Sequence, residues 1–172
     1  KKQSRWDLVT INPGFVLGPS LTKASASTSL VFIKQLANGT MFPGAPDLWF
    51  GVVDVRDVAQ AHIKAGFTPA AQGRHITSAA NTTALELGQI LKKKFGAGFK
   101  FPLFTAPKLM VWLVAPLAGI SRKFVKLNVG YKISFDNRKS REALGMNYRS
   151  LEQTVTDHFQ QVLDDGLLRR RK

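Results

Sequence analysis

The run Asn12-Pro-Gly-Phe-Val-Leu-Gly-Pro-Ser20 (NPGFVLGPS) follows an apolar stretch and holds the residues best suited to meet a flat ligand. At the carboxyl end of a strand, where open α/β sheets bind ligands, Pro13 stiffens the turn and Gly14 lets backbone come close to a ring. Asp54 and Asp57 have the look of catalytic carboxylates. Their spacing equally suits a helix start, with Asp54 as cap and Asp57 in the first turn opposing the dipole, and this is the favoured reading. His62, His75 and His158 are the only imidazoles, with no two at metal-ligand spacing, and there is no cysteine. Disulfides, thiolate zinc, iron–sulfur clusters and cysteine nucleophiles are thereby excluded. His62, on a helix face with Val58 and Ile63, reads as a hydrogen-bonded packing residue, and Arg56 and Arg138 as surface or ion-pair residues.

The elements that must position these residues alternate between strand and helix. Residues 6 to 12 (WDLVTIN) predict a buried strand ending at Pro13-Gly14. From about Ser25, Leu30, Ile33 and Ala37 recur at helical spacing until Asn38-Gly39 stops the run. Phe42 to Leu48, with two prolines and a glycine, reads as a turn-rich connection. Trp49 to Val53 is a strand, and the helix after Asp54 has Val58, Ala59, His62 and Ile63 as its apolar face. Arg74 to Ser78 is a further strand, followed by a capping box, Thr83 with Glu86, that opens a helix to Phe95-Gly96. Two helices close the chain, one from Arg138 to Leu144 and one opened by Ser150 that presents Leu151, Val155, Phe159 and Val162. Strand, helix, strand, helix, strand, helix is the order of an α/β unit.

Composition bounds the partners. The 172 residues are 44% hydrophobic and 21% charged, enough to fold, and the formal net charge is +14. Arg169 to Lys172, Lys92 to Lys94 and Lys1 with Lys2 hold much of that excess, at the termini and one helix end, with no nucleic-acid-binding motif; no specific nucleic acid is expected. Phe101 to Ile120 has one charge in twenty residues, but three prolines break it, so it is too short to span a membrane and reads as a helix packed into the core or over a pocket. An interfacial membrane contact, with Arg122 and Lys123 beside it, is the lesser alternative. No export signal stands at the start, so a cytoplasmic setting is expected. Three short strands are too few for a covered parallel sheet, so an open edge is expected: the chain reads as a piece of something longer, or as one that pairs with a copy of itself.

The NPGFVLGPS run resembles a segment of the extended short-chain dehydrogenase/reductase superfamily, of NAD-dependent epimerase/dehydratase type, and most of all its dihydroflavonol 4-reductase-like branch. Val52 to Ala65 (VVDVRDVAQAHIKA), Gly73 to Leu91 (GRHITSAANTTALELGQIL) and Asp136 to Leu151 (DNRKSREALGMNYRSL) follow in that family's order. The resemblance implies an α/β fold: the C-terminal part of a Rossmann-type parallel sheet plus a smaller, mainly helical substrate-binding domain, spanning 1–172. It implies an NAD(P)H-dependent oxidoreductase that reduces a small-molecule carbonyl, with NADP or NAD as cofactor.

By the same resemblance the backbone of Pro13, Gly14, Phe15 and Val16 faces the nicotinamide, and Ser20 reaches a phosphate or ribose hydroxyl, a reading that stands level with an ordinary loop serine. The family's tyrosine–lysine pair is absent: four residues after Tyr131 and Tyr148 stand Phe135 and Glu152. Gly14/Gly18 and Gly96/Gly98 do not make the Gly-rich dinucleotide turn. No catalytic residue and no metal ligand is therefore assigned, and this chain alone is expected to be inactive, its family's missing parts lying upstream of Lys1. Thr22 to Ser29 and Phe101 to Ile120 are where the family builds its substrate pocket, and their apolar character points to a hydrophobic or aromatic substrate. An epimerase, a dehydratase, a hydroxysteroid dehydrogenase, and a non-catalytic binding protein using its basic tail remain the alternatives.

Overall fold

The computed structural model describes residues 5–21, 27–96 and 98–170. Lys1 to Ser4, most of the Thr22 to Ser29 loop and the last two residues lie outside the described residues. The first strand, β1 (Val9–Pro13), leads through Gly14 into β2 (Phe15–Leu17), and α1 (Thr28–Asn38) follows, capped by Ser27 and ended by Gly39. Then come β3 (Gly44–Pro46), β4 (Trp49–Asp54), α2 (Val55–Phe67), β5 (Gly73–Thr77), β6 (Ala80–Thr83) and α3 (Ala84–Phe95). The chain continues as β7 (Phe104–Ala106), α4 (Lys108–Val114), a 3₁₀ turn (Ala115–Ala118), α5 (Arg122–Asn128), α6 (Arg138–Leu144) and α7 (Leu151–Asp164).

β1 pairs in parallel with β5, with Ile11 opposite His75 and Pro13 opposite Thr77. Gly14 donates one more bond, N–H to the Thr77 carbonyl at 3.0 Å, and there the chain changes partners. β2 runs parallel to β4, and β4 pairs antiparallel with β6. A Cβ on residue 14 would run into the Gly51 carbonyl, so glycine is required at the point where one strand leaves one sheet for the other. Among the described residues β1 has β5 as its only strand partner. The expected open edge is therefore present, with Trp6 and Leu8 exposed beside it.

The main core lies between α1, α3, α7 and the β2–β4–β6 sheet, and is built from Leu17, Ile33, Leu36, Leu87, Val155 and Phe159 among others. Phe159 is its centre, with the Phe95, Phe99 and Phe101 rings at 4.7, 5.2 and 5.9 Å. A second cluster, Ala61, Ala71, Leu144 and Met146, joins α2 and α6 to Val9 and Ile11 on one face of β1.

Three expectations are corrected. The Phe42 to Leu48 connection contains β3, which pairs with β7 through Gly44 to Pro46, a strand too short and too rich in proline to show any period. The inward face of α2 is not Val58, Ala59, His62 and Ile63: Asp57 and Ala61 are the residues fully buried, and His62 and Ile63 face water. The hydrophobic pattern misleads there because a carboxylate with a dedicated partner occupies a core position. Finally, the helical part of Phe101 to Ile120 is not packed into the main core: Phe101 is buried there, but α4 buries none of its seven residues, and Ala115 is the one buried residue of the 3₁₀ turn.

Candidate functional site

The carboxyl end of β1 and the loop after β2 present the five residues singled out from the sequence along one continuous run. Pro13 is exposed, and Gly14, Phe15 and Val16 are half-buried. The Phe15 side chain turns into the core, with Phe32 at 5.2 Å and Phe50 at 5.7 Å, which leaves its backbone as the part available to a ligand. Val16 and Ser20 line a half-open cavity of about 560 Å³; Pro13, Gly14 and Phe15 do not. Leu30 of α1, Ala59 of α2 and His158 of α7 complete much of its wall.

α7 holds this loop. Gly18, at a φ of 114° that favours glycine, donates its N–H to His158 Nδ1 at 3.2 Å. One turn on, the Gln161 side chain makes a two-point clamp on Ser20: Oε1 accepts the backbone N–H and Nε2 donates to the carbonyl, each at 2.5 Å. An Nδ1 that accepts fixes the proton on Nε2, so the ring is the neutral Nε2–H tautomer. Burial pushes the His158 ring down to about 4, against a smaller upward pull from the Asp54 carboxylate.

Both aspartates are engaged within the fold, Asp54 as the cap that its spacing indicated and Asp57 through a distant partner. Asp54 caps α2 by accepting the Arg56 N–H at 2.9 Å and is paired with the Arg56 guanidinium, which reaches on to Asp157 of α7 at 2.9 Å. Burial alone would raise the Asp54 carboxyl, but the hydrogen bonds from the Arg56 side chain and backbone outweigh it and hold the group below its ordinary value. Asp57, also fully buried, receives the Arg149 N–H at 2.8 Å and the Arg149 guanidinium. His62 is exposed, its Nδ1 2.8 Å from the Val58 carbonyl, and Arg138 is paired with Asp136 on the surface. His75 is buried on β5, where burial first and the Lys139 charge second lower its pKa. Tyr148 is tied into the fold: Ser140 Oγ gives its proton to the Asn137 carbonyl at 2.7 Å, so the phenol 2.6 Å away is the donor to Ser140.

No group of residues able to hold a metal ion occurs among the described residues. His158, Gln161 and Asp157 were not singled out for the site from the sequence. Their i, i+1 and i+4 placement on a helix that also feeds the core was visible, but nothing local signals partners 101 to 141 residues away.

An open parallel strand pair with a proline–glycine turn at its carboxyl end, beside a mainly helical unit, defines a Rossmann-type α/β protein. No protein-family model matches the chain. It is 29% identical over 164 residues to the NADPH-dependent methylglyoxal reductase of Saccharomyces cerevisiae, covering 92% of this chain and 44% of that protein. It is 32% identical over 157 residues to a cinnamoyl-CoA reductase of Medicago truncatula, covering 91% and 41%. The crystal structure of yeast methylglyoxal/isovaleraldehyde reductase complexed with NADPH superposes with a TM-score of 0.63 at 27% identity, over 92% of this chain and 47% of that one. Alfalfa (Medicago sativa) vestitone reductase, at 18% identity and a TM-score of 0.66 over 94% and 46%, shares the fold. The chain is related over nearly its whole length to NAD(P)-dependent reductases of the extended short-chain dehydrogenase/reductase superfamily. It spans less than half the length of the curated relatives it matches.

Proposed function

We propose that this chain is the substrate-binding portion, with one wall of the cofactor site, of an NAD(P)H-dependent reductase acting on a small carbonyl compound. The observation that carries the reading is the match to reductases across more than nine tenths of the chain, with NPGFVLGPS at the carboxyl end of a parallel strand. The residues present fit the nicotinamide end of the cofactor: a backbone run stiffened by Pro13, free of charge, next to an apolar cavity. Bound there, the cofactor supplies the hydride. The backbone of Pro13, Gly14, Phe15 and Val16 orients one face of the ring, Ser20 meets a ribose or phosphate oxygen, and the walls given by Val16, Leu30 and Ala59 keep water from the reacting centre. The apolar lining suits a hydrophobic or aromatic carbonyl substrate.

Neither tyrosine has a lysine four residues on, so the chain by itself has no general acid of the family's kind and is inactive. Two measurements test this. NADPH added to isotope-labelled chain should move the Gly14, Phe15, Val16 and Ser20 amide resonances, and shifts confined to other residues would dispose of the site. The chain alone should not oxidise NADPH with methylglyoxal or an aromatic aldehyde, whereas a longer protein that contains it together with a Gly-rich turn and a Tyr–Lys pair should.

A further inference from the structure

Between Phe101 and Phe135 the chain carries five cations, Lys108, Arg122, Lys123, Lys126 and Lys132, and not one Asp or Glu. In the fold most of this stretch becomes α4, the 3₁₀ turn and α5, which close a small core of their own from Ala115, Val125 and Val129 with Val111 and Trp112 against it. Those side chains take the inward side. The outward side leaves apolar groups in water: Leu117 is 91% exposed, Leu109 70%, Leu127 61%, Leu113 54% and Met110 50%. Leu109 and Leu113 are one turn apart, Met110 and Val114 likewise, and Leu117 follows Leu113 by four residues; on α5 Phe124 and Leu127 share a face. Scattered exposed leucines are ordinary surface, but a row on successive turns is an interaction face.

The charge decides what that face fits. Lys108 sits 4.5 Å over the Tyr131 ring and Arg122 4.3 Å over the Trp112 ring, so two of the cations are held in place on the same small helical unit that carries the apolar row. An apolar row rimmed by cations is complementary to an anionic bilayer surface: leucines enter the acyl boundary while ammonium and guanidinium groups meet headgroup phosphates. A second copy docked face to face would set like charges together. No helix of the described residues is long and apolar enough to cross a membrane, so contact would be made at the interface. We propose that the α4–α5 hairpin is a peripheral docking face for membranes rich in anionic lipid, an inference independent of the reductase reading.

Vesicle sedimentation of the intact chain tests it. Phosphatidylserine–phosphatidylcholine vesicles should retain at least about tenfold more chain than phosphatidylcholine alone, and high salt should reverse the gain. Leu113→Asp with Leu117→Asp should abolish binding, and Lys123→Ser with Lys126→Ser should lower it by about fivefold per cation removed. These positions are exposed, so the circular dichroism melt should be unchanged. Ile63→Asp, an exposed apolar site on α2, should bind like the parent chain. Equal partition into both vesicle types, loss of binding with Ile63→Asp, or a concentration-dependent dimer that Leu113→Asp with Leu117→Asp dissolves would each overturn the proposal.

Discussion

Gly18 gives its N–H to an imidazole nitrogen that can accept only while the ring is neutral, so the loop after β2 depends on the protonation of one buried side chain. The native His158 ring takes a proton near 4, its unfolded counterpart near the usual 6.5. Between those values the unfolded chain holds the extra proton. Stability is therefore complete above about 6.5 and drains away as the pH falls towards 4, by about 3 kcal/mol for this group. The other depressed groups can be separated from it. Asp54 loses its contribution only below the ordinary carboxylate range, because its folded value is lowered too, and His75 acts equally in parent and variant. Urea unfolding at several pH values between 7 and 4 should show His158→Asn, which keeps an acceptor but does not titrate, with a flatter stability profile than the parent chain. Parallel profiles would show that the ring carries no such load.

At the scale of elements, α7 is the part on which the others converge. It fills the core through Val155, Phe159 and Val162, and ties down the 18–20 loop through His158 and Gln161. Through Asp157 it also meets the Arg56 bridge from α2. Just before α7, Arg149 reaches the buried carboxylate of Asp57, whose position on the first turn of α2 fixes the approach of the two helices. Asp57→Ala would strand the guanidinium and remove the acceptor of the Arg149 N–H, at a cost of about 3 kcal/mol. The fall should be read as a lower urea midpoint with an unchanged slope.

What the sequence made legible in these elements follows the same physics. Local signals survived: Ser150, Asp54 and Thr83 cap their helices as their spacing predicted, and Gly39 and Gly145 end theirs. Non-local ones did not. The strands of three or four residues, β2, β3, β6 and β7, are too short to show alternation, and Asp57 read only as a dipole-compensating residue of the first turn because its partner lies 92 residues on. For the site, the turn at Pro13-Gly14 was legible as a strand end, yet the steric demand on Gly14 comes from the Gly51 carbonyl, which no local spacing reports. The α4–α5 unit reversed the usual inference from apolar content to burial, because its own small core satisfies only the inward side.

For the whole molecule the controlling quantity is a net charge of +14 on 172 residues. The ion pairs described here are local, and those of Asp54, Asp57 and Asp157 use three of the eleven acidic residues to hold α2 against the α7 region. What remains at long range is repulsion, spread over a surface on which Lys92, Lys93 and Lys94 close α3 and the carboxyl terminus adds further arginines. Such repulsion acts across distances comparable with the screening length, about 10 Å at 0.1 M salt and about 30 Å at 0.01 M. It disfavours the compact state, because unfolding moves like charges apart. Added salt weakens this long-range term strongly, while the pairs at Asp54 and Asp57, whose carboxylates are fully buried, are screened far less. Raising sodium chloride from about 0.01 to about 0.3 M should therefore stabilise the chain, seen as a higher melting temperature that levels off once the screening length falls below the spacing of the surface charges. A melting temperature that fell over the same range would mean that attractive surface pairs, rather than the excess of lysine and arginine, dominate the electrostatics of the fold.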